Sequence, residues 1–174
     1  MRLFLAGVVP DAVKQTLHAQ LEPVRAATPQ ARWLPAESLH LTLLFLGAVP
    51  DATVLPLQAA FGGVCGRHRV LNLTLGHVET FGPTRSPRVL ATTLEGDVED
   101  LHALVTDARQ VAEPVVALEP ERPFRPHLTV ARARSALAAG LQGAFVLREL
   151  ALMKSDTLAS GAVHTALARW TLAG

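Results

Sequence analysis

The 174-residue sequence has a single cysteine, no tyrosine and only 5% aromatic residues. Because Cys65 is the only cysteine, an intramolecular disulfide is impossible and a zinc site built from cysteines is excluded. No apolar run approaches the roughly 18 residues that are needed to cross a bilayer. The N-terminal "MRLFLAGVVP" is short and is stopped by Pro10 and Asp11. It is therefore predicted to be a strand and not a signal peptide.

An excess of charge is also missing, since 16 Lys and Arg are balanced by 15 Asp and Glu for a net charge of +1. A chain with this balance is no polycation, so any attraction for nucleic acid must come from a local group of basic residues. The composition is 49% hydrophobic and 18% charged, which is typical of a soluble globular protein. A cytoplasmic protein with one domain, or with two small lobes sharing a core, is expected.

Hydrophobic periodicity predicts an α+β fold. Apolar residues recur at helical spacing in three segments, 10–24, 51–64 and 96–112. Strand-like runs precede, separate and follow these segments, and a short segment of unassigned structure covers 135–143. The predicted strands are 1–9, 32–34, 39–47, 69–81, 88–95, 125–133, 144–154 and 162–173. This order mixes hairpins with helices and indicates mainly antiparallel sheets.

Two of the predicted strands carry the same pattern, "HLT" followed by an apolar residue. In "SLHLTLLFLG" (38–47) the polar pair is His40 and Thr42, and in "RPHLTVAR" (125–132) it is His127 and Thr129. Residues i and i+2 of a strand share a face and lie about 6.6 Å apart, while the residues between them face the other way. The two histidines are 87 positions apart, half the chain length, which predicts two pseudo-symmetric lobes.

These side chains are the parts that the cleavage of a phosphodiester needs. Imidazole can give or take a proton at neutral pH, so of two imidazoles one can deprotonate the attacking oxygen and the other protonate the leaving oxygen. Hydroxyls, and a guanidinium such as that of Arg132, can bind the non-bridging oxygens. The alternative is that each histidine is a structural residue of its own strand. The spacing alone is compatible with both interpretations.

Other kinds of site have less support in the sequence. Two histidines without a third ligand at a suitable spacing are too few for a closed zinc site. No Walker or Rossmann glycine pattern precedes a helix, so the use of a nucleoside triphosphate is unsupported. The remaining five histidines have no hydroxyl residue at i+2 and are expected to be surface or helix-face residues. They are His18, His68, His77, His102 and His164.

Several longer blocks extend the likeness beyond the two motifs. They are "MRLFLAG", "RWLPAESLHLTLLFLG", "SPRVL", "RPFRPHLTVAR" and the late "KSD". In content, order and spacing these blocks resemble those of the 2H phosphoesterases, specifically the bacterial and archaeal RNA 2′,3′-cyclic phosphodiesterases, historically called 2′-5′ RNA ligases. The resemblance covers the chain from end to end.

The resemblance implies one bilobal domain over residues 1–174, with two pseudo-symmetric antiparallel sheets and outer helices around a central cleft. It implies hydrolysis of a terminal 2′,3′-cyclic phosphate on RNA to a 2′-phosphate, without metal, ATP or another cofactor. RNA with such an end is the implied partner, with no membrane and no obligate protein partner.

The resemblance also assigns roles to residues. It makes His40 the proton donor to the departing 3′ oxygen and His127 the base that activates water, a division that spacing alone does not give. Thr42, Thr129 and Arg132 are the implied phosphate ligands. Trp33 is expected either to stack on a nucleobase or to pack the edge of a lobe.

Three alternatives to hydrolysis of RNA ends remain open at this point. The first is a related phosphodiesterase that acts on small cyclic nucleotides. The second is an RNA-binding module without turnover, although binding alone does not require two groups that exchange protons near neutral pH. The third is reversal of the reaction to join 2′-5′ ends, for which hydrolysis is expected to dominate in water.

Overall fold

The computed structural model describes residues 1–82, 88–120, 123–133, 138–159 and 161–174. Within these residues there are four α-helices and ten β-strands. The helices are α1 (Asp11–Gln20), α2 (Glu22–Ala27), α3 (Val54–Cys65) and α4 (Val98–Ala112). The strands are β1 (Arg2–Gly7), β2 (Arg32–Trp33), β3 (Leu41–Ala48), β4 (Leu71–Phe81), β5 (Arg88–Gly96), β6 (His127–Ala133), β7 (Ala139–Gly140), β8 (Ala144–Leu147), β9 (Glu149–Leu158) and β10 (Gly161–Thr171). The predicted α+β class is confirmed.

All paired strands run antiparallel, in the order β10-β9-β1-β3-β6-β5-β4-β7, with β2 beside β6 and β8 beside β4. The middle of this order is narrow, because β3 and β6 are matched only at Leu41 and Leu128. The four strands before this joint and the six beyond it form two halves. The two antiparallel sheets that were predicted are the two halves of one sheet.

Two predicted elements are each divided in the structure. The first helix ends at Gln20 and a second begins at Glu22. Pro23 lies in the first turn of this second helix, where its missing N–H costs least. The predicted strand over 144–154 is divided at Arg148, since β8 pairs with β4 whereas β9 pairs with β1. The chain therefore crosses from one half to the other at Arg148, between two apolar stretches.

Leucine forms most of the core, which is one cluster of buried residues that draws on both halves and on the helices. At the joint, Leu41 and Leu128 are fully buried, and burying a side chain of this size contributes about 1.5–3 kcal/mol. The strand residues on either side of each leucine face the other way and are partly exposed. No helix in the described part of the chain is both long and apolar enough to cross a membrane.

We expect Leu128→Ala to lower the free energy of unfolding by about 2–5 kcal/mol, because it opens a cavity where the two halves meet. Urea denaturation measures the change. The control is Leu55→Ala on α3, whose side chain is 75% exposed, and which should cost less than about 0.5 kcal/mol. Equal losses in the two variants would contradict a core that is continuous through the joint.

Candidate active site

The single pair that joins β3 to β6 also brings the two H-x-T motifs side by side. Leu41 is the middle residue of one motif and Leu128 of the other. Continuing this antiparallel register by one residue each way sets the histidine of each motif opposite the threonine of the other. Opposed Cβ atoms then lie about 4.5–5.5 Å apart, and the diagonal pair of histidines about 7–8 Å apart. The four side chains, all on the face turned away from the leucines, are His40, Thr42, His127 and Thr129.

The two imidazoles are held in the same way. The Nδ1–H of His40 donates to the carbonyl oxygen of Ser38, at 2.8 Å. The Nδ1–H of His127 donates to the carbonyl oxygen of Arg125, at 2.6 Å. Because a carbonyl can only accept, these bonds fix the hydrogen on Nδ1 and leave Nε2 for a ligand. The acceptor is two residues before the histidine in both motifs, so the local geometry repeats in the two halves.

His40 lies among other rings on its side of the joint. Its ring centroid is 5.1 Å from that of Phe4 and 5.0 Å from that of His164, whose ring stands at 78° to it. Burial is the largest effect on the pKa of His40 and lowers it below 6.5. The bond to Ser38 opposes this effect, while the charges of His164, Lys14 and His127 add to it. Burial also lowers the pKa of His164.

His127 has a different environment. Its ring stacks on Phe81, with centroids 4.7 Å apart and 25° between the planes. The Arg125 guanidinium lies 4.3 Å from the centroid of the Phe81 ring and forms an ion pair with Glu79. Glu79 also accepts a hydrogen bond from Nε2 of His77, at 3.1 Å. The carbonyl oxygen that accepts the hydrogen bond from His127 belongs to Arg125. The side chain of Arg125 is in turn held by Phe81 and Glu79.

Arg132 lies on the same face but farther along β6. The register of β6 against β5 shifts at Val130, and the successive residues Val130 and Ala131 are both buried. This bulge returns Arg132 to the exposed side, where Thr129 also lies. Three residues of strand, about 10 Å, separate it from Thr129. The structure thus brings four of the five expected site residues together and places Arg132 at the edge of the group.

A cavity of about 510 Å³ opens beside His40, and His127 lies outside it. Much of its lining is apolar and comes from β1, β9, β10 and the turn before β3. Its polar lining residues are Lys14, Glu37, Ser38, His40, His164 and Arg169. Within the described ranges, no three His, Cys, Asp or Glu side chains are grouped so that they could hold a metal ion.

The expectation for His164 was wrong. It is partly buried and in ring contact with His40 and Phe4. The sequence does show that Ala162, His164 and Ala166 alternate along one face of β10. It does not show which strand β10 pairs with, and so it does not place His164 beside His40. Of the remaining histidines, His77 is bonded to Glu79, the residue that pairs with Arg125 near His127. His68 lies elsewhere and is bonded to Asp107, at 2.8 Å.

Trp33 packs against the core, and its Nε1 is buried without a partner in the described structure. The Arg25 guanidinium lies 5.5 Å from the centroid of its ring. Packing of the lobe edge is therefore the better of the two interpretations that the sequence left open.

Comparison with known families agrees with this geometry. The model of the 2′-5′ RNA ligase superfamily matches residues 9–170. The chain belongs to this superfamily. The family resemblance seen in the sequence is thereby confirmed.

Similar proteins carry one common name. The RNA 2′,3′-cyclic phosphodiesterase of Thermus thermophilus is 30% identical over 195 residues, covering 100% of this chain and 91% of the relative. The protein of the same name from Escherichia coli is 29% identical over 178 residues, which are 98% of this chain and 96% of that relative. The one from Geobacillus stearothermophilus is 32% identical over 132 residues, which are 74% of this chain but only 41% of that relative.

Solved structures resemble the chain over its whole length. TT0787 of Thermus thermophilus superposes with a TM-score of 0.84 at 26% identity, covering 99% of this chain and 98% of the other. Escherichia coli LigT in complex with NADP+ gives a TM-score of 0.80 at 27% identity, with the same coverage.

The lowered pKa values of His40 and His164 predict that stability falls as the solution becomes acidic. Below pH 6.5 the unfolded chain protonates these imidazoles, whereas the folded protein keeps them neutral until the pH reaches their lowered pKa values. The free energy of unfolding should therefore decrease from pH 7.5 to pH 5.5. Urea denaturation at both pH values measures the change, and His40→Gln should remove part of it. An NMR titration that places the pKa of His40 at or above 6.5 would contradict the argument.

Proposed function

We propose that the chain is an RNA 2′,3′-cyclic phosphodiesterase that hydrolyses the cyclic phosphate at an RNA end to a 2′-phosphate, without metal or ATP. The observation that carries the proposal is the antiparallel pairing of Leu41 with Leu128. This pairing sets two imidazoles, each with Nε2 directed away from its backbone bond, on one face of the sheet. The shared name of the similar proteins supports the same activity.

The phosphate lies between the two motifs in this proposal. Thr42 and Thr129 donate their hydroxyl hydrogens to the non-bridging oxygens, and these bonds strengthen as charge builds up on the oxygens in the transition state. From its position farther along β6, Arg132 reaches the phosphate only with its side chain fully extended. It is proposed as an outer contact to the phosphate or to the adjoining backbone.

Hydrolysis needs one base and one acid. His127 takes a proton from water at Nε2, and the resulting hydroxide forms a bond to phosphorus. The bond from phosphorus to the 3′ oxygen then breaks, and His40 donates the proton on its Nε2 to that oxygen. The product carries the phosphate on the 2′ oxygen.

The division of roles follows the family resemblance, and burial of His40 by itself opposes it, because burial disfavours the imidazolium in the free protein. The acid role therefore requires the negative charge of a bound phosphate to favour the imidazolium. The carbonyl oxygen of Ser38 stabilises the Nδ1–H of the charged ring.

Two finer proposals concern the substrate. The cavity beside His40 falls within the range of small-molecule sites, about 300–1,000 Å³, which favours cyclic mononucleotides as a second class of substrate. Ligation of 2′-5′ ends is the reverse of the same steps, and in water hydrolysis dominates. Comparing a cyclic mononucleotide with an oligonucleotide that ends in the same group distinguishes the two substrate classes.

We expect His40→Ala and His127→Ala each to lower the rate of hydrolysis by about 10²–10⁴-fold, because each removes one proton transfer. The assay follows a short RNA with a 2′,3′-cyclic end and locates the product phosphate. His18→Ala is the matched control, since His18 lies on α1 outside the cavity lining. Full activity in either of the first two variants, with the fold intact by circular dichroism, would rule out the two-histidine mechanism.

Thr42→Val and Thr129→Val should each reduce kcat/KM by about 10-fold or more, since each removes a hydrogen bond to a charged oxygen while keeping the shape of the side chain.

Addition of EDTA should leave the activity of the unmodified protein unchanged. Loss of activity in the chelator would instead indicate a metal-dependent reaction.

A further inference from the structure

Glu79, Arg125 and Phe81 lie in series on the His127 side of the site. Glu79 forms an ion pair with Arg125. The Arg125 guanidinium lies 4.3 Å from the centroid of the Phe81 ring, which stacks on His127. We propose that these three residues form a clamp that holds the imidazole of His127 in the orientation that proton transfer from water requires. The inference rests on the proposed function, which supplies the role of His127 as the base.

The register of the sheet places the clamp on the face that carries the motifs. Thr129 on β6 is opposed to Ala91 on β5, and Ala91 is opposed to Glu79 on β4. Directly opposed residues of antiparallel strands share a face, so these three residues lie in one row across the sheet. Phe81 follows Glu79 at i+2 and therefore points to the same side. Glu79 and Phe81 thus act on His127 from the face on which the phosphate is proposed to bind.

A hydrogen bond at Nδ1 does not by itself fix the plane of an imidazole ring. The torsion between Cβ and the ring has broad minima, so rotamer preference leaves this plane loosely defined. The bond from Nδ1 of His127 to the carbonyl oxygen of Arg125 fixes one atom of the ring. The Phe81 ring, whose centroid is 4.7 Å from that of His127 with 25° between the planes, restricts rotation of the imidazole. The two contacts together set the direction in which Nε2 points.

Arg125 holds His127 in two ways. Its carbonyl oxygen accepts the hydrogen bond from Nδ1, and its guanidinium packs on the ring that stacks on the imidazole. The face of an aromatic ring attracts a cation, and the planar guanidinium suits this contact better than an ammonium group. A bare cation here would disfavour the imidazolium that forms when the base accepts a proton. The carboxylate of Glu79 neutralises the guanidinium and fixes it against Phe81.

The clamp contributes little to the stability of the fold. Phe81 does not appear among the described residues that form the core or pack against it. The side chain of Arg125 is 60% exposed, and ion pairs of exposed side chains contribute little to stability. Substitutions in the clamp should therefore leave the fold intact, as circular dichroism checks, and their effect should appear in the reaction.

The test compares Phe81→Leu, which removes the ring, with Phe81→Tyr, which keeps it. The assay follows a short RNA with a 2′,3′-cyclic end. We expect Phe81→Leu to lower kcat by about 10-fold or more with KM unchanged, since a misplacement of about 1 Å costs about 10²-fold. Phe81→Tyr should recover most of kcat. A rise in KM without loss of kcat in Phe81→Leu would show that the ring binds the substrate, and would overturn the clamp.

A double-mutant cycle shows whether the ring acts through His127. In the His127→Ala variant the clamp has no imidazole to position, so adding Phe81→Leu should leave the residual rate unchanged. A further loss, equal to the loss that Phe81→Leu causes in the otherwise unmodified protein, would assign a structural role to Phe81 and overturn the inference.

A second comparison tests the guanidinium. Arg125→Lys keeps the charge but loses the planar group, and it should lower kcat with KM unchanged. Arg69→Lys is the matched control, since the side chain of Arg69 is 54% exposed and pairs with Asp97 and Asp100 at the start of α4. It should keep the kcat of the unmodified protein. Equal kcat values in the two variants would contradict the part that the inference gives to Arg125.

The outcome also separates this inference from the proposed function. Absence of hydrolysis by the unmodified protein, or full activity in His127→Ala, would overturn both. Loss of hydrolysis in His127→Ala together with full kcat in Phe81→Leu would leave the proposed function standing and overturn the clamp alone.

Discussion

One residue pair organises this molecule. Leu41 and Leu128 are the only matched residues between β3 and β6, and they join the two halves of the sheet. Because both side chains are fully buried, the joint is fixed by the same packing that stabilises the core. A shift of either strand by one residue would turn a leucine outward and a histidine inward. The register that the core requires is therefore the register that brings the two motifs together.

The sequence contained much of this arrangement. The two H-x-T patterns, their half-chain separation and their apolar neighbours predicted two strands with the same polar face. The pairing of the two strands with each other was not predictable from spacing, because it joins residues 87 positions apart. The resemblance to a family supplied the expectation that a cleft held both strands.

The features that the sequence did not reveal are those that depend on strand partners distant in the chain. His164 had no hydroxyl at i+2 and no other local signal, and its position beside His40 follows from the pairing of β10 with β9 and of β9 with β1. The division at Arg148 was hidden for the same reason, since apolar residues lie on both sides of it. The bulge at Val130, which sets the direction of Arg132, arises from the register against β5. Local patterns do not show which strands of the sheet lie beside each other.

The pseudo-symmetry of the two motifs ends at their backbone bonds. Each histidine donates to the carbonyl two residues before it, but the surroundings then differ. His40 is buried among Phe4 and His164, with the charge of Lys14 nearby. His127 stacks on Phe81, which also contacts Arg125. The two motifs therefore share their backbone geometry and differ in the side chains that surround each imidazole.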